Sequence, residues 1–364
     1  MLALVFEGER RVRLAEDQPL PAVAKPTDAV VRVALCAICG SDLHAFRGDE
    51  RGIRKGTTVG HEARARFVGT IESLGSEVPG LAVGDRVMSP FTASCADCFY
   101  CRRGKTCRCA HPEARPFGWI DEPTPGNPAA EPQGLHGSQA QFVRVPLAAS
   151  TLVKVPDDVT DEEALLLGDI LSTAFFCAEQ GGVAPGDAVA VVGCGPVGLL
   201  AVLAARHLGA SRVFAVDGVP SRAARAAAFG AEPLAPAAAA AAVAAATEGR
   251  GADVVLEAVG ASGALGLAFE LVRPAGAVSS VGVHTAAGWP FTPVEAYNKN
   301  ATLRFGRCPA RAYMEKLLPI VQSKAWPFAD IITHRLPLRE GVEAYEMFER
   351  REEGCVKVIL DPWA

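Results

Sequence analysis

Nowhere among the 364 residues does an apolar run reach the roughly 18 residues that a membrane-spanning helix needs, so no membrane partner is expected. The opening Met1-Leu2-Ala3-Leu4-Val5-Phe6-Glu7 has too short an apolar run to read as a secretory signal, and a cytoplasmic protein is expected. Positive charge is also short. Lys and Arg number 36 against 41 Asp and Glu, a net charge of -5, and no basic stripe stands out, which argues against nucleic acid as a partner. Cysteine, by contrast, is plentiful. Eleven of them in a chain with no secretory signal point to metal ligation sooner than to disulfides, because a reducing compartment keeps thiols reduced.

The chain is too long for one ordinary domain and suits two, and its 49% hydrophobic content supports full cores. Up to about residue 155 it reads as short strands and turns, with strands expected at 30–35, 67–74, 85–88 and 141–145 and Gly and Pro punctuating them. Residues 111–135, rich in Pro and Gly, read as a long irregular loop. From about residue 160 the pattern becomes alternating. A helix is expected from Asp161 to about Glu179, opened by an acidic first turn. Strands at 188–192, 212–216, 253–257 and 277–283 then alternate with helices at 196–208, 221–229, 236–246 and 262–272. Such alternation implies a parallel sheet with right-handed crossovers. After about residue 305 it stops; helices at 311–323 and 339–351 and a closing strand at 355–360 suggest a tail that returns to the first domain. The expected organisation is therefore residues 1–155 and 305–364 as one domain, with 156–304 inserted.

Three stretches carry chemistry. The first is Cys39-Gly40-Ser41-Asp42-Leu43-His44, followed after a Gly-rich loop by Gly60-His61-Glu62. Thiolate, imidazole and carboxylate are the ligand types zinc takes. Ser41 and His44 add a hydroxyl and an imidazole that can carry a proton from a metal-bound oxygen to water. A buried thiol beside surface histidines is the plainer reading of the same residues. The second stretch is Cys95, Cys98, Cys101 and Cys109, in the pattern C-x2-C-x2-C-x7-C. Four thiolates in one loop make a closed tetrahedral site with no room for water, which is a structural zinc site. Reduced thiols without metal are the alternative, and Cys107 inside the loop could compete with Cys109, which fits the spacing better.

The third is Gly193-Cys194-Gly195-Pro196-Val197-Gly198, between an expected strand and an expected helix. Its glycines permit a tight turn and close approach to a pyrophosphate, and the helix N-terminus offers free N–H groups. Asp217 ends the next strand about 20 residues on, where a carboxylate accepts the ribose hydroxyls of NAD and repels the extra phosphate of NADP. A turn aspartate would look the same, and Arg222 nearby can serve either ribose or phosphate.

Zinc-ligand pairs upstream of a dinucleotide turn give a sequence that resembles the zinc-dependent medium-chain dehydrogenase/reductase (alcohol dehydrogenase) family over essentially its whole length. Within it the chain looks most like the formaldehyde-dehydrogenase-like branch, through Leu167-Gly168-Asp169-Ile170-Leu171-Ser172-Thr173, Val281-Gly282-Val283-His284, Asn298-Lys299-Asn300 and Phe305-Gly306-Arg307-Cys308-Pro309. The resemblance implies an α/β protein: a GroES-like β-rich catalytic domain plus a Rossmann doubly wound parallel-sheet domain, with the active site in the cleft between them. It implies that Cys39, His61 and Asp169 are ligands of a catalytic zinc, Asp169 standing where many relatives have cysteine, and that Glu62 is a carboxylate able to approach the metal as a fourth ligand. Ser41 and His44 match the proton-relay positions. Thr173 matches a position lining the nicotinamide pocket, and Val281 and Val283 count as cofactor-binding with Gly193, Gly195, Pro196, Val197 and Gly198.

Two zinc ions per chain, NAD more than NADP, a small alcohol or aldehyde substrate and a homodimer or homotetramer follow from the same resemblance. An aldehyde dismutase with tightly held NAD is the neighbouring reading, and a non-catalytic nucleotide-binding protein on the same fold is the reading from another class. Cys36 reads as a small buried residue, and His111, His136, His207, His284 and His334 as structural or exposed. The sequence departs from its relatives at Ala63-Arg64-Ala65-Arg66, which intervenes where they run from His-Glu almost directly into Phe-Val-Gly, and at Cys107, where they commonly carry a small residue.

Overall fold

A computed structural model describes residues 1–60, 67–122, 133–352 and 354–364. The chain forms two compact units, Met1–Asp169 with Pro309–Ala364, and Ile170–Cys308. Both divisions fall later in the chain than the composition shifts at 155/156 and 304/305.

The first unit is built on the strand Ala29–Ala37, whose β-branched run AVVRVALCA is buried along most of its length. It lies third in a sheet ordered His334–Pro337, Val358–Asp361, Ala29–Ala37, Phe67–Leu74, Arg86–Met88, Val153–Lys154, and Phe142–Val145 also pairs with it. The strand Val358–Asp361 joins antiparallel, Leu360 facing Cys36 and Ile359 facing Ala37, so the C-terminal tail completes the sheet that the N-terminal half begins. The core beneath holds Leu4, Val31, Phe67, Ile71, Phe117, Tyr345 and Leu360. Two hairpin strands unnoticed in the sequence, Ala3–Gly8 and Arg11–Ala15, form a separate antiparallel pair.

The second unit is a six-stranded parallel sheet ordered Glu232–Leu234, Arg212–Val216, Ala188–Val192, Ala252–Glu257, Val272–Ser280, Thr302–Phe305. Starting from Ala188–Val192, the chain winds two strands to one side, returns, and winds three to the other. Four of its helices, Pro196–His207, Pro220–Ala228, Pro236–Ala246 and Pro293–Lys299, begin on a proline. Proline suits that position because its fixed φ is already helical and its missing N–H would have no intrahelical acceptor. Among the described residues no helix is long and apolar enough to cross a membrane.

The helix expected over 161–179 is two helices. Thr160 caps the first, Asp161–Leu167, in a full capping box with Glu163. It stops at Gly168, and the second runs Ile170–Gly181. The apolar pattern continues through the break, which is why it reads as one helix in sequence. The break leaves Asp169 outside both helices with its side chain buried.

Because the capping box fixes the start of the segment that ends at Asp169, Thr160→Ala should cost about 1 kcal/mol. In a chain with a first unit of this size that is a fall of roughly 2–4 °C in melting temperature. Thr160→Asp, which keeps the capping oxygen, should recover most of it; calorimetry on the three proteins checks this.

Candidate functional site

Within the first unit the strand Ala29–Ala37 runs into Ile38, Cys39, Gly40 and Ser41, and a one-turn helix, Asp42–Arg47, follows. Cys39 and Asp169 are 130 residues apart in sequence, yet the Cys39 Sγ lies 3.8 Å from Asp169 Oδ2. Both are almost fully buried, at 4% and 2% exposure. A sulfur and a carboxylate oxygen buried side by side are both ligand types that zinc takes. The donor set therefore fits a divalent metal that accepts both sulfur and oxygen. Ser41 is fully buried, and among the described residues its hydroxyl has no hydrogen-bond partner. A buried hydroxyl without a partner costs free energy unless a ligand supplies one. His44 sits on the short helix, its Nδ1 3.6 Å from Asp49 Oδ2 at a partly exposed edge. His61, Glu62 and the Ala63–Arg66 stretch lie outside the described residues.

A buried polar chain holds the Cys39 loop. The Cys39 N–H donates to Asp42 Oδ2 at 2.8 Å. Gln139 donates to the same oxygen at 3.5 Å and to the Ala37 carbonyl at 3.1 Å, and accepts from the Tyr345 hydroxyl at 2.9 Å. Burial, with the nearby Asp42 charge second, holds the Tyr345 phenol well above its ordinary pKa, so it remains a donor. The Lys357 ammonium donates to the Ile38 carbonyl from the closing strand's side. Cys36 packs inward against the Leu360 carbonyl at 3.7 Å, and burial drives its thiol far above the ordinary range, so it is an inert core residue. Asp42, Gln139 and Tyr345 were invisible as a set in the sequence. Only Asp42, lying inside Cys-Gly-Ser-Asp, carried a local signal.

The four cysteines of the loop converge. The sulfurs of Cys95, Cys98, Cys101 and Cys109 all lie within 4.8 Å of one another. Cys109 Sγ is 3.4 Å from Cys95 Sγ, and Cys98 Sγ is 3.9 Å from Cys109 Sγ. A tetrahedron with metal–sulfur bonds of about 2.3 Å puts its sulfurs about 3.8 Å apart, so the knot has the size of a four-thiolate metal site. Backbone N–H groups point at the sulfurs: Cys95 N–H at Cys109 (3.3 Å), Cys98 N–H at Cys95 (3.3 Å) and Ala110 N–H at Cys98 (3.5 Å). The Ala110 and Cys101 N–H groups bring the Cys98 thiol down to about 6, which makes it the readiest thiolate. Burial pushes Cys101 and Cys109 the other way. Two short 3-10 turns, Cys101–Arg103 and Thr106–Arg108, are the loop's regular structure, and Cys107 on the second stands outside the convergent four.

In the second unit the turn Gly193–Gly198 links the strand Ala188–Val192 to the helix Pro196–His207. The Gly193 N–H donates to the Val216 carbonyl. A Cβ on Gly198 would sit 1.7 Å from the Gly193 carbonyl oxygen, so the helix can approach the turn this closely only with glycine there. Gly195 caps the helix with nothing within 4 Å of where its Cβ would be, which leaves the helix N-terminus approachable. Asp217 follows the strand Arg212–Val216 and ties two turns together: Oδ2 accepts from the Cys194 N–H at 2.7 Å and Oδ1 from the Val219 N–H at 2.8 Å. It therefore has the turn role, and each carboxylate oxygen keeps a further lone pair. Arg222 lies in the helix Pro220–Ala228. The Cys194 thiol is buried and raised to about 12 by that burial, with Asp217 adding to it. Val281 and Val283 lie just beyond the strand Val272–Ser280, which starts earlier and ends earlier than the expected 277–283. Thr173 is on the first turns of Ile170–Gly181 and buried.

Comparison with known proteins matches two family models in turn along the chain: an alcohol dehydrogenase GroES-like domain over residues 25–157 and a zinc-binding dehydrogenase domain over residues 196–323. The chain is 37% identical over 358 residues to zinc-type alcohol dehydrogenase B of Aspergillus flavus, covering 96% of this chain and 78% of that one. It is 38% identical over 363 residues to a probable zinc-binding alcohol dehydrogenase of Mycobacterium tuberculosis, covering 100% and 89%. Among solved structures, the alcohol dehydrogenase TADH from Thermus sp. ATN1 superposes with a TM-score of 0.88 at 39% identity, over 99% of both chains. Identity at that level over nearly the whole chain, on a β-rich unit and a parallel-sheet unit arranged in the same order, means that this protein belongs to the zinc-dependent alcohol dehydrogenases of the medium-chain dehydrogenase/reductase family.

Proposed function

We propose that this enzyme moves a hydride between a small alcohol, or an aldehyde hydrate, and NAD. The observation that supports this most is the buried meeting of Cys39 Sγ and Asp169 Oδ2 at 3.8 Å, in the unit whose loop also buries the unpartnered Ser41 hydroxyl. Cys39, His61 and Asp169 would hold a catalytic zinc, with Glu62 the available fourth carboxylate. When bound, zinc supplies Lewis-acid polarisation of the substrate oxygen and the nicotinamide supplies hydride acceptance. Ser41 takes the alcohol proton and His44 passes it outward past Asp49. The N–H groups opening Pro196–His207 receive the pyrophosphate. Asp217, already rigid through its two backbone bonds, accepts ribose hydroxyls and disfavours a 2′-phosphate. Thr173, Val281 and Val283 line the nicotinamide pocket.

The four thiols would hold a second zinc, making two per chain, and the chain falls in the formaldehyde-dehydrogenase-like branch. A cytoplasmic homodimer or homotetramer is the assembly that goes with this reading. An absorbance screen at the NADH band over alcohols, polyols and aldehydes with both cofactors tests the function directly. No NADH formation from any alcohol, by protein that retains zinc, would turn the reading toward nucleotide binding without catalysis.

Variants at three positions separate the roles. Asp169→Ala should lose zinc from the open site and several orders of magnitude in turnover, with little change in melting temperature; Asp169→Cys should recover part of both, since thiolate is itself a zinc ligand. If Asp169→Ala turns over at near wild-type rate with its zinc bound, Asp169 is not a ligand.

Cys98→Ser should act through stability. A metal-organised loop draws folding free energy from its metal. This variant should bind about one zinc fewer per chain by elemental analysis, and melt lower than Asp169→Ala does.

Asp217→Gly removes the carboxylate that would meet a 2′-phosphate. The ratio of kcat/KM for NAD to that for NADP should fall by at least tenfold. A wild-type enzyme already more efficient with NADP would show that Arg222 outweighs Asp217.

A further inference from the structure

The carboxyl end of the parallel sheet carries a second polar cluster. Glu257 ends the strand Ala252–Glu257, is fully buried, and stands opposite Ser280, the last residue of Val272–Ser280. Its Oε1 accepts the N–H groups of Val259 (2.8 Å) and Gly260 (2.7 Å). Its Oε2 accepts the Ser280 hydroxyl at 2.6 Å. The Ser280 oxygen lies in turn 2.8 Å from His284 Nε2, and that nitrogen is 3.4 Å from Glu257 Oε2.

Proton counting sets the direction of every bond. The Ser280 hydroxyl donates its single proton to Glu257 Oε2. The Ser280 oxygen must then accept from His284, so Nε2 carries a proton, and in the neutral ring Nδ1 is the nitrogen with the lone pair. Among the described residues Nδ1 has no hydrogen-bond partner. The ring edges onto Phe305 and 23% of the side chain is exposed, which leaves it reachable.

Position says what could reach it. The strand order reverses beside Ala188–Val192, and in such sheets a dinucleotide lies across the carboxyl ends of the strands at that point. A pyrophosphate at Gly193–Gly198 with the adenosine side toward Asp217 would put the nicotinamide riboside half over the ends of Ala252–Glu257 and Val272–Ser280. The three loops touch there: a Cβ on Gly193 would be 2.3 Å from a Val259 methyl, and one on Gly260 would be 2.3 Å from the Val283 carbonyl. Glu257 thus pins the loop that packs on the dinucleotide turn and, through Ser280, orients the histidine that follows Val283.

We propose that His284 is a cofactor-binding residue, held as the Nε2–H tautomer by the Ser280–Glu257 pair, whose Nδ1 accepts a hydrogen bond from the nicotinamide riboside half of the cofactor. The donor is a carboxamide N–H or a ribose hydroxyl. The inference rests on the assignment of a nicotinamide dinucleotide to the Gly193–Gly198 turn.

The test is NADH affinity, measured by fluorescence on the intact zinc-loaded enzyme. His284→Leu should raise the dissociation constant about tenfold, and His284→Gln, which restores an acceptor oxygen, should recover much of that. Glu257→Gln keeps the acceptor for Val259 and Gly260 but offers Ser280 an N–H. Ser280 can then donate to His284, the proton moves to Nδ1, and affinity should fall although His284 is still present. Nitrogen-15 spectra of histidine-labelled protein report that tautomer directly: Nε2–H in the wild type, Nδ1–H in Glu257→Gln.

Repeating the His284→Leu comparison with reduced 3-acetylpyridine adenine dinucleotide, which lacks the amide N–H, assigns the donor. If the penalty disappears, the carboxamide is the partner; if it persists, a ribose hydroxyl is. Wild-type affinity for both dinucleotides in His284→Leu, or a wild-type Nδ1–H tautomer, overturns the proposal. Failure of the wild type to bind NADH at all would be a failure of the dinucleotide reading itself.

Discussion

A single carboxylate, Asp42, sets the geometry on which the metal-binding unit depends. It is buried, it accepts the Cys39 N–H, and the Gln139–Tyr345 pair braces the same loop through Asp42 and the Ala37 carbonyl. A loop at the end of a strand would otherwise be free to swing, and a metal site tolerates little misplacement of its ligands. Here the loop is tied from three directions: by Asp42 in its own short helix, by Gln139 from the segment before the strand Phe142–Val145, and by Tyr345 from the helix Gly341–Arg350. The C-terminal tail therefore does more than complete a sheet. Its helix braces the Gln139 side chain through Tyr345, and Lys357, just before its last strand, donates to the Ile38 carbonyl beside Cys39.

The two clusters of proposed metal ligands in this unit obey opposite logic. Cys39 and Asp169 are distant in sequence and buried, and they approach because a helix is broken at Gly168 to free Asp169. The four thiols are close in sequence and only partly buried, in a loop whose regular structure is two short turns, where backbone N–H groups aim at sulfur. The first arrangement suits an open position for a substrate oxygen. The second suits a closed knot that replaces secondary structure as the source of local order. In the parallel-sheet unit, buried carboxylates do comparable work: Asp217 joins the turn after one strand to the turn after the next, and Glu257 gathers the loops beyond two others.

Much of this was legible in the residues themselves. The strands Phe67–Leu74, Ala188–Val192 and Arg212–Val216 and the helix Pro236–Ala246 run where hydrophobic period, turn residues and starting prolines put them, because those signals are local. The hairpin Ala3–Gly8 with Arg11–Ala15 escaped notice because its apolar run is short and its partner strand alternates with arginines. The helix break at Gly168 and Asp169 escaped because hydrophobic periodicity carries no information about so short an interruption.

The sequence by itself determined the chemistry available: a four-cysteine knot whose members lie within 15 residues, a glycine turn between strand and helix, and an aspartate ending the next strand. These depend on spacing along the chain, and spacing survives without a fold. Tertiary structure alone decided which side chains from distant segments meet. It brought Asp169 to Cys39, Tyr345 to Gln139, Lys357 to Ile38, and His284 to Ser280 and Glu257. The physical reason is that a buried polar group must find a partner wherever packing puts one, and which partner that is follows from sheet register and helix ends that no local pattern encodes.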